Sequence, residues 1–221
     1  MERFIYAYRL KVDSGNAPCV FDENDRPTKM LSLACCKGGR IQKGKGISTG
    51  LRNTIGKKHG EKIASGENEV WLMGTLKNCL LYFAKITEVV TMIEYFSNQK
   101  WRSQKDQIYS VVGGESLTRN GSNRLFHPKE DHDGHARDAL GKYVLLSDHF
   151  VYFGSESRNK PIDKGLIEIL PKRQEHLCFS GDEYQRILNF VEGYWDFTEC
   201  YICNTPNRML LNETCKGCKQ K

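Results

Sequence analysis

The sequence predicts an α+β fold: a curved or barrel-like, mainly antiparallel sheet with a few helices, followed by a small C-terminal module. Short alternating apolar segments typical of strands recur along most of the chain, strands and helices do not alternate regularly, and two Cys-x2-Cys pairs stand near the end. A chain of 221 residues can bury one sizeable core. We therefore expect a main domain over 1–196 and a separate tail over 197–221.

Strand signals are clearest in the first half of the chain. The opening segment RFIYAYRLKVD alternates aromatic residues with Ile5 and Ala7, which indicates a strand with two buried faces, and KMLSLACC predicts a second strand. Residues 70–73 and 79–90 predict a β-hairpin that turns at 77–78. These segments supply the core of the expected sheet.

Two helices are predicted from their N-terminal signals. Thr91 precedes Glu94 at the capping-box spacing, which predicts a short helix over 92–99. Asp182 stands at the N-cap position before EYQRILNFVEGYW, whose apolar residues recur at helical spacing. Both helices are expected to pack on the sheet.

The later strands are short and follow a long polar connection over 110–141. The segment KYVLLSDHFVYFG predicts two strands around 147–149, and GLIEIL (165–170) predicts a further strand. A connection as long as 110–141 inside a compact domain is usually functional or mobile.

Residues 37–62 combine glycine with positive charge. They hold eight Lys and Arg residues against one acid, Glu61, in a chain of net charge +6. The repeated glycines predict that no helix forms here, and free backbone N–H groups beside lysines predict a phosphate cradle, with a solvated basic loop as the alternative. GRIQKGKG lacks the Ser or Thr that a Walker motif places after its lysine, and GKGISTG departs from the dinucleotide fingerprint. These departures exclude a P-loop NTPase and a Rossmann site.

Cysteine usage indicates a reducing compartment. Nine cysteines is an odd count, and five of them are irregularly spaced within globular sequence, so we expect a cytoplasmic protein rather than a disulfide-bonded one. No signal peptide and no membrane-length apolar run is recognised, so we expect a soluble protein without membrane association.

Four cysteines at the C-terminus have the spacing of a zinc ribbon. Cys200 and Cys203 are separated from Cys215 and Cys218 by eleven residues, and two such pairs can place four thiolates around one ion. Four cysteine ligands leave no position for water, so the zinc is expected to be structural and to stabilise a tail too short to fold alone. The alternative is a reduced or redox-active tail.

Histidines and carboxylates are concentrated over 127–138. The residue types suit a metal ion, but Pro128 and Gly134 interrupt any regular ligand array. Three interpretations stay open: a metal site, an acid–base or substrate-binding group, and a solvated loop. The residues concerned are His127, Asp131, His132, Asp133, His135 and Asp138.

Several ordered segments together resemble one family, the nucleotide modification associated domain of the second type, from phage and bacterial loci for DNA base hypermodification and defence. They are LSLACCKGGRIQ, NEVWLMGT, LLYFAKITEVVTMIEYFS, DQIY, a His-containing loop and GKYVLLSDHFVYFG. Residues 43–67 look like a Gly/Lys-rich insertion, and the cysteine tail lies outside the resemblance. The resemblance implies an association with modified nucleotides or DNA.

A looser likeness links the predicted hairpin to PUA-like barrels, some of which bind modified bases in aromatic-lined pockets. Several strand aromatics are therefore considered as stacking faces for a base, with core packing as the alternative. They are Trp71, Tyr82, Tyr109, Tyr152 and Phe153.

The leading hypothesis is a module that binds nucleic acid or a nucleotide. In it Lys37, Arg40, Lys43 and Lys45 hold phosphate, Asp106, Tyr109, His135 and Asp138 face a base or sugar, and Ser147 and Asp148 support the pocket. One alternative is an enzyme acting on a modified base or nucleotide, with His132 or His135 as acid or base and Asp138 orienting it. Another is an interaction subunit that docks on a larger complex through its zinc ribbon.

Overall fold

The computed structural model describes residues 1–42, 45–47, 49–119, 138–173, 175–197 and 200–206, the side chains of 40–45 excepted. In chain order the strands are β1 (Glu2–Leu10), β2 (Cys19–Phe21), β3 (Pro27–Leu33), β4 (Arg40–Gln42), β5 (Lys45–Ile47), β6 (Asn68–Leu76), β7 (Cys79–Lys85), β8 (Glu88–Thr91), β9 (Tyr109–Val112), β10 (Ser116–Arg119), β11 (Tyr143–Ser147), β12 (His149–Tyr152), β13 (His176–Phe179) and β14 (Tyr201–Ile202). The helices are α1 (Leu51–Ala64), α2 (Met92–Ser97), α3 (Lys164–Ile169) and α4 (Gly181–Glu192), with short 3-10 helices at Gln99–Trp101 and Gly154–Asn159.

The larger sheet has six strands in the order β13-β1-β6-β7-β12-β14. Its longest pairing, β1 with β6, is parallel from Glu2 opposite Asn68 to Leu10 opposite Leu76. A parallel pair needs a long crossover, which residues 11–67 supply. The α+β class is confirmed, but the sheet is mixed and, within the described ranges, open rather than barrel-like.

The smaller sheet has four antiparallel strands in the order β2-β3-β11-β8. Two separate hairpins, β4–β5 and β9–β10, complete the strands. Residues 79–90 therefore form two strands in different sheets rather than one long strand. The chain crosses from the smaller sheet to the larger between Ser147 and His149, where two strands were predicted.

The core has three layers of apolar contact. The inner face of the larger sheet packs on the smaller sheet and α1, so that Tyr6 and Tyr8 lie in one cluster with Leu33. The outer face packs on α3 and α4, where Ile5 meets Ile187. The outer face of the smaller sheet packs on α2 and the segment around β9. The alternation read from the opening segment is thereby confirmed.

Local turn and cap signals correspond closely to the structure. Lys77 and Asn78 connect β6 to β7 with φ of 50° and 62°, as a tight hairpin turn requires. The Thr91 hydroxyl accepts a hydrogen bond from the Glu94 N–H at 3.1 Å, and the Glu94 carboxylate accepts one from the Thr91 N–H at 2.7 Å. The predicted capping box is confirmed.

Helix α1 occupies residues 51–64, so the prediction that glycine excludes a helix from this segment is wrong. A Cβ on Gly56 would lie 2.3 Å from Cγ of the Tyr143 ring, whereas one on Gly60 would meet only Val89 at 3.7 Å. Gly56 therefore allows the helix to approach β11 closely. Packing against the sheet offsets the low helix propensity of glycine.

Two further local predictions are corrected. GLIEIL forms helix α3 rather than a strand, because Asp163 Oδ1 accepts a hydrogen bond from the Leu166 N–H at 2.8 Å and caps the helix. Ser180, and not Asp182, is the N-cap of α4. Asp182 lies in the first turn, where its negative charge is favourable. In the described segments no helix is long and apolar enough to cross a membrane.

Candidate functional site

The turn after β3 has an unusual backbone at Cys36 and Lys37. Both residues lie in the left-handed region, with φ of 62° and 54°. Two consecutive non-glycine residues in this region are strained, and such strain persists only where surrounding contacts impose it. Three side chains from distant segments impose it here.

Asp138 is the first of these anchors. Its Oδ1 accepts a hydrogen bond from the Cys36 N–H at 2.7 Å, and its Oδ2 accepts one from the Tyr109 hydroxyl at 3.0 Å. Asp138 is 1 % exposed. The structure therefore brings the backbone next to Lys37 together with Tyr109 and Asp138, three of the predicted site residues.

Arg52, in the first turn of α1, is the second anchor and is completely buried. Its guanidinium donates to the carbonyl oxygens of Cys36 at 2.7 Å, Tyr143 at 2.6 Å and Asp138 at 3.1 Å. Burial lowers the pKa of Arg52, and the negative charge of Asp138 opposes that shift. A Cβ on Gly141 would stand 2.1 Å from Arg52 Nη2, so this glycine makes room for the guanidinium. Arg52 is a structural cation.

Asn53 is the third anchor. Its Nδ2 donates to the carbonyl oxygens of Gly38 at 2.9 Å and Leu140 at 2.7 Å, while its Oδ1 accepts from the Lys142 N–H at 2.7 Å. The start of α1 thus fixes the 36–38 turn to the 138–142 segment. The predicted insertion is the element that holds these parts together.

Lys37 extends from this turn over the inner face of the larger sheet. Its Nζ lies 4.6 Å from the centre of the Tyr8 ring. Burial lowers the pKa of the half-buried Lys37, with the neighbouring Cys36 opposing the shift. The ion pairs found among the described residues involve other cations, so Lys37 has no carboxylate partner in that part of the chain.

His176 and Cys178 border the same place from β13. His176 pairs with Tyr8 in register, and Cys178 pairs with Tyr6. Burial lowers the pKa of His176, and the charge of Lys37 lowers it further, so its imidazole is neutral at pH 7. We call the group of residues around the Lys37 ammonium group the Lys37 niche; its members are Cys36, Lys37, Tyr8, His176 and Cys178.

Tyr8 begins a row of buried tyrosines that crosses the larger sheet. Tyr8 pairs with Gly74, Gly74 with Tyr82, and Tyr82 with Tyr152. A Cβ on Gly74 would lie 2.0 Å from the Tyr82 ring, because that ring crosses the glycine to place its hydroxyl 2.6 Å from the Tyr8 hydroxyl. At the far end the Tyr152 hydroxyl donates to Asp13 Oδ1 at 2.6 Å. Burial raises the pKa of all three tyrosines.

The aromatics considered as stacking faces are core residues in the structure. None of them is more than 5 % exposed, and Trp71 stacks on Phe83 rather than facing solvent. The five are Trp71, Tyr82, Tyr109, Tyr152 and Phe153.

His59 holds Tyr6, which pairs with Cys178 of the niche. Asn68 Nδ2 lies 2.8 Å from His59 Nδ1, and the Tyr6 hydroxyl lies 2.9 Å from His59 Nε2. Because an amide nitrogen donates, Nδ1 accepts, and Nε2 donates to Tyr6. Burial lowers the pKa of His59 to about 4, and the charges of Lys58 and Lys62 add to the effect.

Asp106 lies in the core behind the turn. It is completely buried, and its two oxygens accept hydrogen bonds from the Ser32 hydroxyl at 2.7 Å and the Tyr95 hydroxyl at 2.6 Å. Burial raises the pKa of Asp106 to about 6, although both hydrogen bonds oppose this shift. Protein donors therefore occupy the carboxylate that was predicted to face a base or sugar.

Ser147 and Asp148 lie at the far end of β11 from Asp138. Ser147 is the last residue of β11, whereas the Asp138 and Tyr143 carbonyl oxygens share the Arg52 guanidinium at the beginning of that strand. The buried Ser147 hydroxyl donates to the His149 carbonyl oxygen at 2.9 Å, and Asp148 is exposed. The structure does not bring this pair to Asp138.

Cys200 and Cys203 flank the edge strand β14. Cys200 packs against the inner core cluster and Cys203 against the outer one, so their thiols lie on opposite faces of the sheet. The Cys200 thiol also hydrogen-bonds the Asp148 carbonyl oxygen. No group of three potential metal ligands occurs among the described residues. The arrangement seen would need residues 200–203 to rearrange before both thiols could bind one ion.

Several predicted site residues lie outside the described part of the chain, and the zinc site stays a prediction. They are Lys43, His127, Asp131, His132, Asp133, His135, Cys215 and Cys218, together with the side chains of Arg40 and Lys45.

Sequence reasoning located Lys37 by its charge but missed Tyr8, Arg52, His176 and Cys178 as its surroundings. The available signal was the alternation of His176 and Cys178 in HLCF, which is typical of one strand face. Chemically, an ammonium group beside a neutral imidazole, with no carboxylate partner among the residues the structure describes, is suited to bind an anion.

A family model described as nucleotide modification associated domain 2 matches residues 2–212, so the chain belongs to this family. The matched span extends over Cys200 and Cys203 and ends before Cys215. Comparisons with curated proteins and with solved structures found no matching protein. Family membership implies involvement in nucleotide modification.

Proposed function

We propose that the protein binds a phosphate-bearing nucleotide unit, free or within nucleic acid, with its phosphate in the Lys37 niche. The observation that carries this proposal is the half-buried Lys37 ammonium group, which has no carboxylate partner in the described part of the chain. Membership of a family associated with nucleotide modification supports a nucleotide as the source of the anion.

The niche lowers the cost of binding an anion in two ways. Partial burial has already removed water from Lys37, so a phosphate oxygen about 4 Å away interacts with it by about 4 kcal/mol at the effective dielectric of a protein surface. The strained turn that carries Lys37 is held by Asp138, Arg52 and Asn53 before any ligand arrives. Little ordering is left for the binding step.

Each neighbouring group has a role in this proposal. Neutral His176 donates or accepts one further hydrogen bond to the ligand, and the rings of Tyr6 and His176, whose centres are 6.2 Å apart, border the space for a base or sugar. Asp138 acts by holding the turn rather than by touching the ligand. Arg40, Lys43 and Lys45 are proposed from the sequence alone as further phosphate ligands.

Lys37→Met tests the proposal because it removes the charge and keeps an unbranched side chain over Tyr8. Lys58→Met is the matched control, since Lys58 lies 5.3 Å from the centre of the Phe4 ring in a comparable cation–π contact. Calorimetric titration with the four deoxynucleoside 5′-monophosphates and with (dT)12 should show at least tenfold weaker binding for Lys37→Met, or about 1.4 kcal/mol. Equal loss in both variants, or none in Lys37→Met, rejects the niche.

The alternative is an enzyme that uses His132, His135 and Asp138. The same nucleotides and oligonucleotides can serve as test substrates for it. Mass spectrometry of nucleotides and oligonucleotides incubated with the protein should reveal no change in mass if it only binds. A product that disappears in His135→Ala, while binding persists, would replace the binding proposal with an enzymatic one.

We also propose that Cys200, Cys203, Cys215 and Cys218 hold one structural zinc, as their spacing predicts. The ion would tie the tail to the edge of the larger sheet after residues 200–203 rearrange so that the Cys200 and Cys203 thiols face one point. Elemental analysis should find about one zinc per chain in the native protein and none in Cys215→Ser. A native protein that contains no zinc would reject the structural zinc site, and it would also reject an interaction subunit that docks through a zinc ribbon.

A further inference from the structure

A second positively charged feature lies at one end of the larger sheet. It is an open cleft of about 700 Å³ where the parallel strands β1 and β6 end, beside the β6–β7 turn and the segment before β13. Its basic residues are Arg9, Lys11, Lys77, Lys172 and Arg173. We call this feature the basic cleft.

Among the described residues that line the basic cleft, five side chains are cationic and none is acidic. Where ion pairs occur in the described segments, their cations are Arg3, Arg26, Lys85, Lys100 and Lys105, none of which lines the cleft. Gathering like charges without counter-charges is unfavourable for the protein alone. A polyanion would supply the missing counter-charges.

The cleft has a defined floor and fixed walls. Leu10 and Leu76 form an apolar floor and are only 7 % and 8 % exposed. Arg9 Nη1 donates to the Lys172 carbonyl oxygen at 3.3 Å, which ties the Lys172–Arg173 segment to β1. Lys77 is presented by the tight turn, where its φ is 50°. Cations around an apolar floor suit phosphates at the rim with sugars or bases above the floor.

The cleft and the Lys37 niche lie along the same strand. Leu10 and Leu76 belong to the inner face of the larger sheet, as Tyr8 does. Tyr8 precedes Leu10 by two residues, a separation of about 7 Å along a strand. Two or three nucleotides of a strand, at about 3.4 Å each along the helix axis, cover that distance.

We infer that the basic cleft binds consecutive phosphodiester groups of a nucleic-acid strand, so that the Lys37 niche receives one unit of a polymer rather than a free nucleotide. The inference rests on the proposed function for the chemical class of its ligand. The charge is supplied by exposed side chains at the rim, so contacts to phosphate, rather than to particular base edges, dominate binding.

The test removes three exposed charges from the cleft in the full chain, with Lys77→Gln, Lys172→Gln and Arg173→Gln combined. A matched control removes two exposed lysines and one exposed arginine from the smaller sheet and its neighbouring 3-10 helix. Its substitutions are Lys29→Gln, Lys100→Gln and Arg102→Gln. Both triple variants change surface side chains only and lower the net charge equally.

Fluorescence anisotropy with labelled (dT)12, a 12-base-pair duplex and U12 is measured from 50 to 200 mM salt. The cleft variant should bind the preferred oligonucleotide at least tenfold more weakly at 50 mM. The slope of log affinity against log salt should be smaller by about 2 for a single strand, because each lost phosphate contact removes about 0.7. The three probes separate single-stranded DNA, duplex DNA and RNA as the source of the phosphodiesters.

The outcomes separate this inference from the proposed function. Mononucleotide binding that depends on Lys37, with oligonucleotide binding that the cleft variant leaves unchanged, overturns the inference alone. Oligonucleotide binding that depends on the cleft but not on Lys37 overturns the Lys37 niche, and with it the placement of one polymer unit there, while the cleft stands as the phosphodiester site. Equal weakening in the cleft and control variants shows unspecific charge attraction and overturns the inference. Binding only to vesicles containing phosphatidylserine, with none to oligonucleotides, also overturns it.

Discussion

The contact between α1 and β11 predicts opposite effects for two substitutions on the same helix. In Gly56→Ala the new Cβ would lie 2.3, 2.4 and 2.8 Å from Cγ, Cδ2 and Cβ of Tyr143. In Gly60→Ala it would lie 3.7 Å from Val89, an ordinary contact. Each change gains about 1 kcal/mol of helix propensity. Only the first introduces a clash.

The clash at residue 56 has no easy relief. Tyr143 pairs with Thr91 in the smaller sheet, and its carbonyl oxygen accepts the Arg52 hydrogen bond, so its backbone is held from two sides. Overpacking at a rigid site costs about 3 kcal/mol, the upper end of the usual range. Gly56→Ala should therefore destabilise the protein by about 2 kcal/mol net, and Gly60→Ala should stabilise it by about 1 kcal/mol.

Urea unfolding, followed by circular dichroism, measures both effects on one scale. With a slope of about 2 kcal/mol per M, the midpoint should fall by about 1 M in Gly56→Ala and rise by about 0.5 M in Gly60→Ala. Two variants of equal stability would mean that α1 does not pack against Tyr143 as described. A Gly56→Ala protein more stable than the native one would mean that residue 56 has open space around it, as residue 60 does, and that α1 does not approach Tyr143 closely.

Three other substitutions follow from the same contacts. Arg52→Met should lower the free energy of unfolding by about 3–5 kcal/mol, because three buried carbonyl oxygens lose their donor. Thermal unfolding measures this effect, and an unchanged Tm would contradict it. The pKa of His59 falls from 6.5 in the unfolded chain to about 4, so the unfolded state takes up the proton first. Stability should then decrease by about 3 kcal/mol as the pH falls through this interval, and urea titrations at several pH values should show that His59→Gln lacks this component. Asp163→Ala should cost about 1 kcal/mol through loss of the α3 cap, measured by urea unfolding against Asp163→Asn, which keeps a capping oxygen.

Local signals predicted the parts of the fold that depend on neighbours in sequence. The hairpin turn at Lys77–Asn78 and the Thr91–Glu94 capping box involve residues at most three apart, and both are present. Helix α1 could not be predicted in this way, since it depends on Tyr143 in a strand 79 residues beyond Ala64. GLIEIL has the apolar content of a strand, and only its Asp163 cap distinguishes it as a helix.

In the candidate site, too, the features set by neighbours in sequence were predictable and those set by distant residues were not. Charge and glycine content located Lys37, and its turn does lie beside Asp138. The residues that surround Lys37 come from β1 and β13, whose pairing joins positions more than 160 residues apart and leaves no local signal. Asp106 was predicted as a site residue because it is a carboxylate. Its oxygens instead accept hydrogen bonds from Ser32 and Tyr95, which come from separate elements that the local sequence does not reveal.

One residue, Asp148, separates β11 in the smaller sheet from β12 in the larger. Because this connection is a single residue, we expect the two sheets to stay packed together and not to open as separate layers when a ligand binds. A ligand of the proposed kind would reach both cationic features from the rim, where the strands end. The layers should also melt as one unit, which makes Trp71 on the larger sheet and Trp101 beside the smaller one reporters of a single cooperative transition.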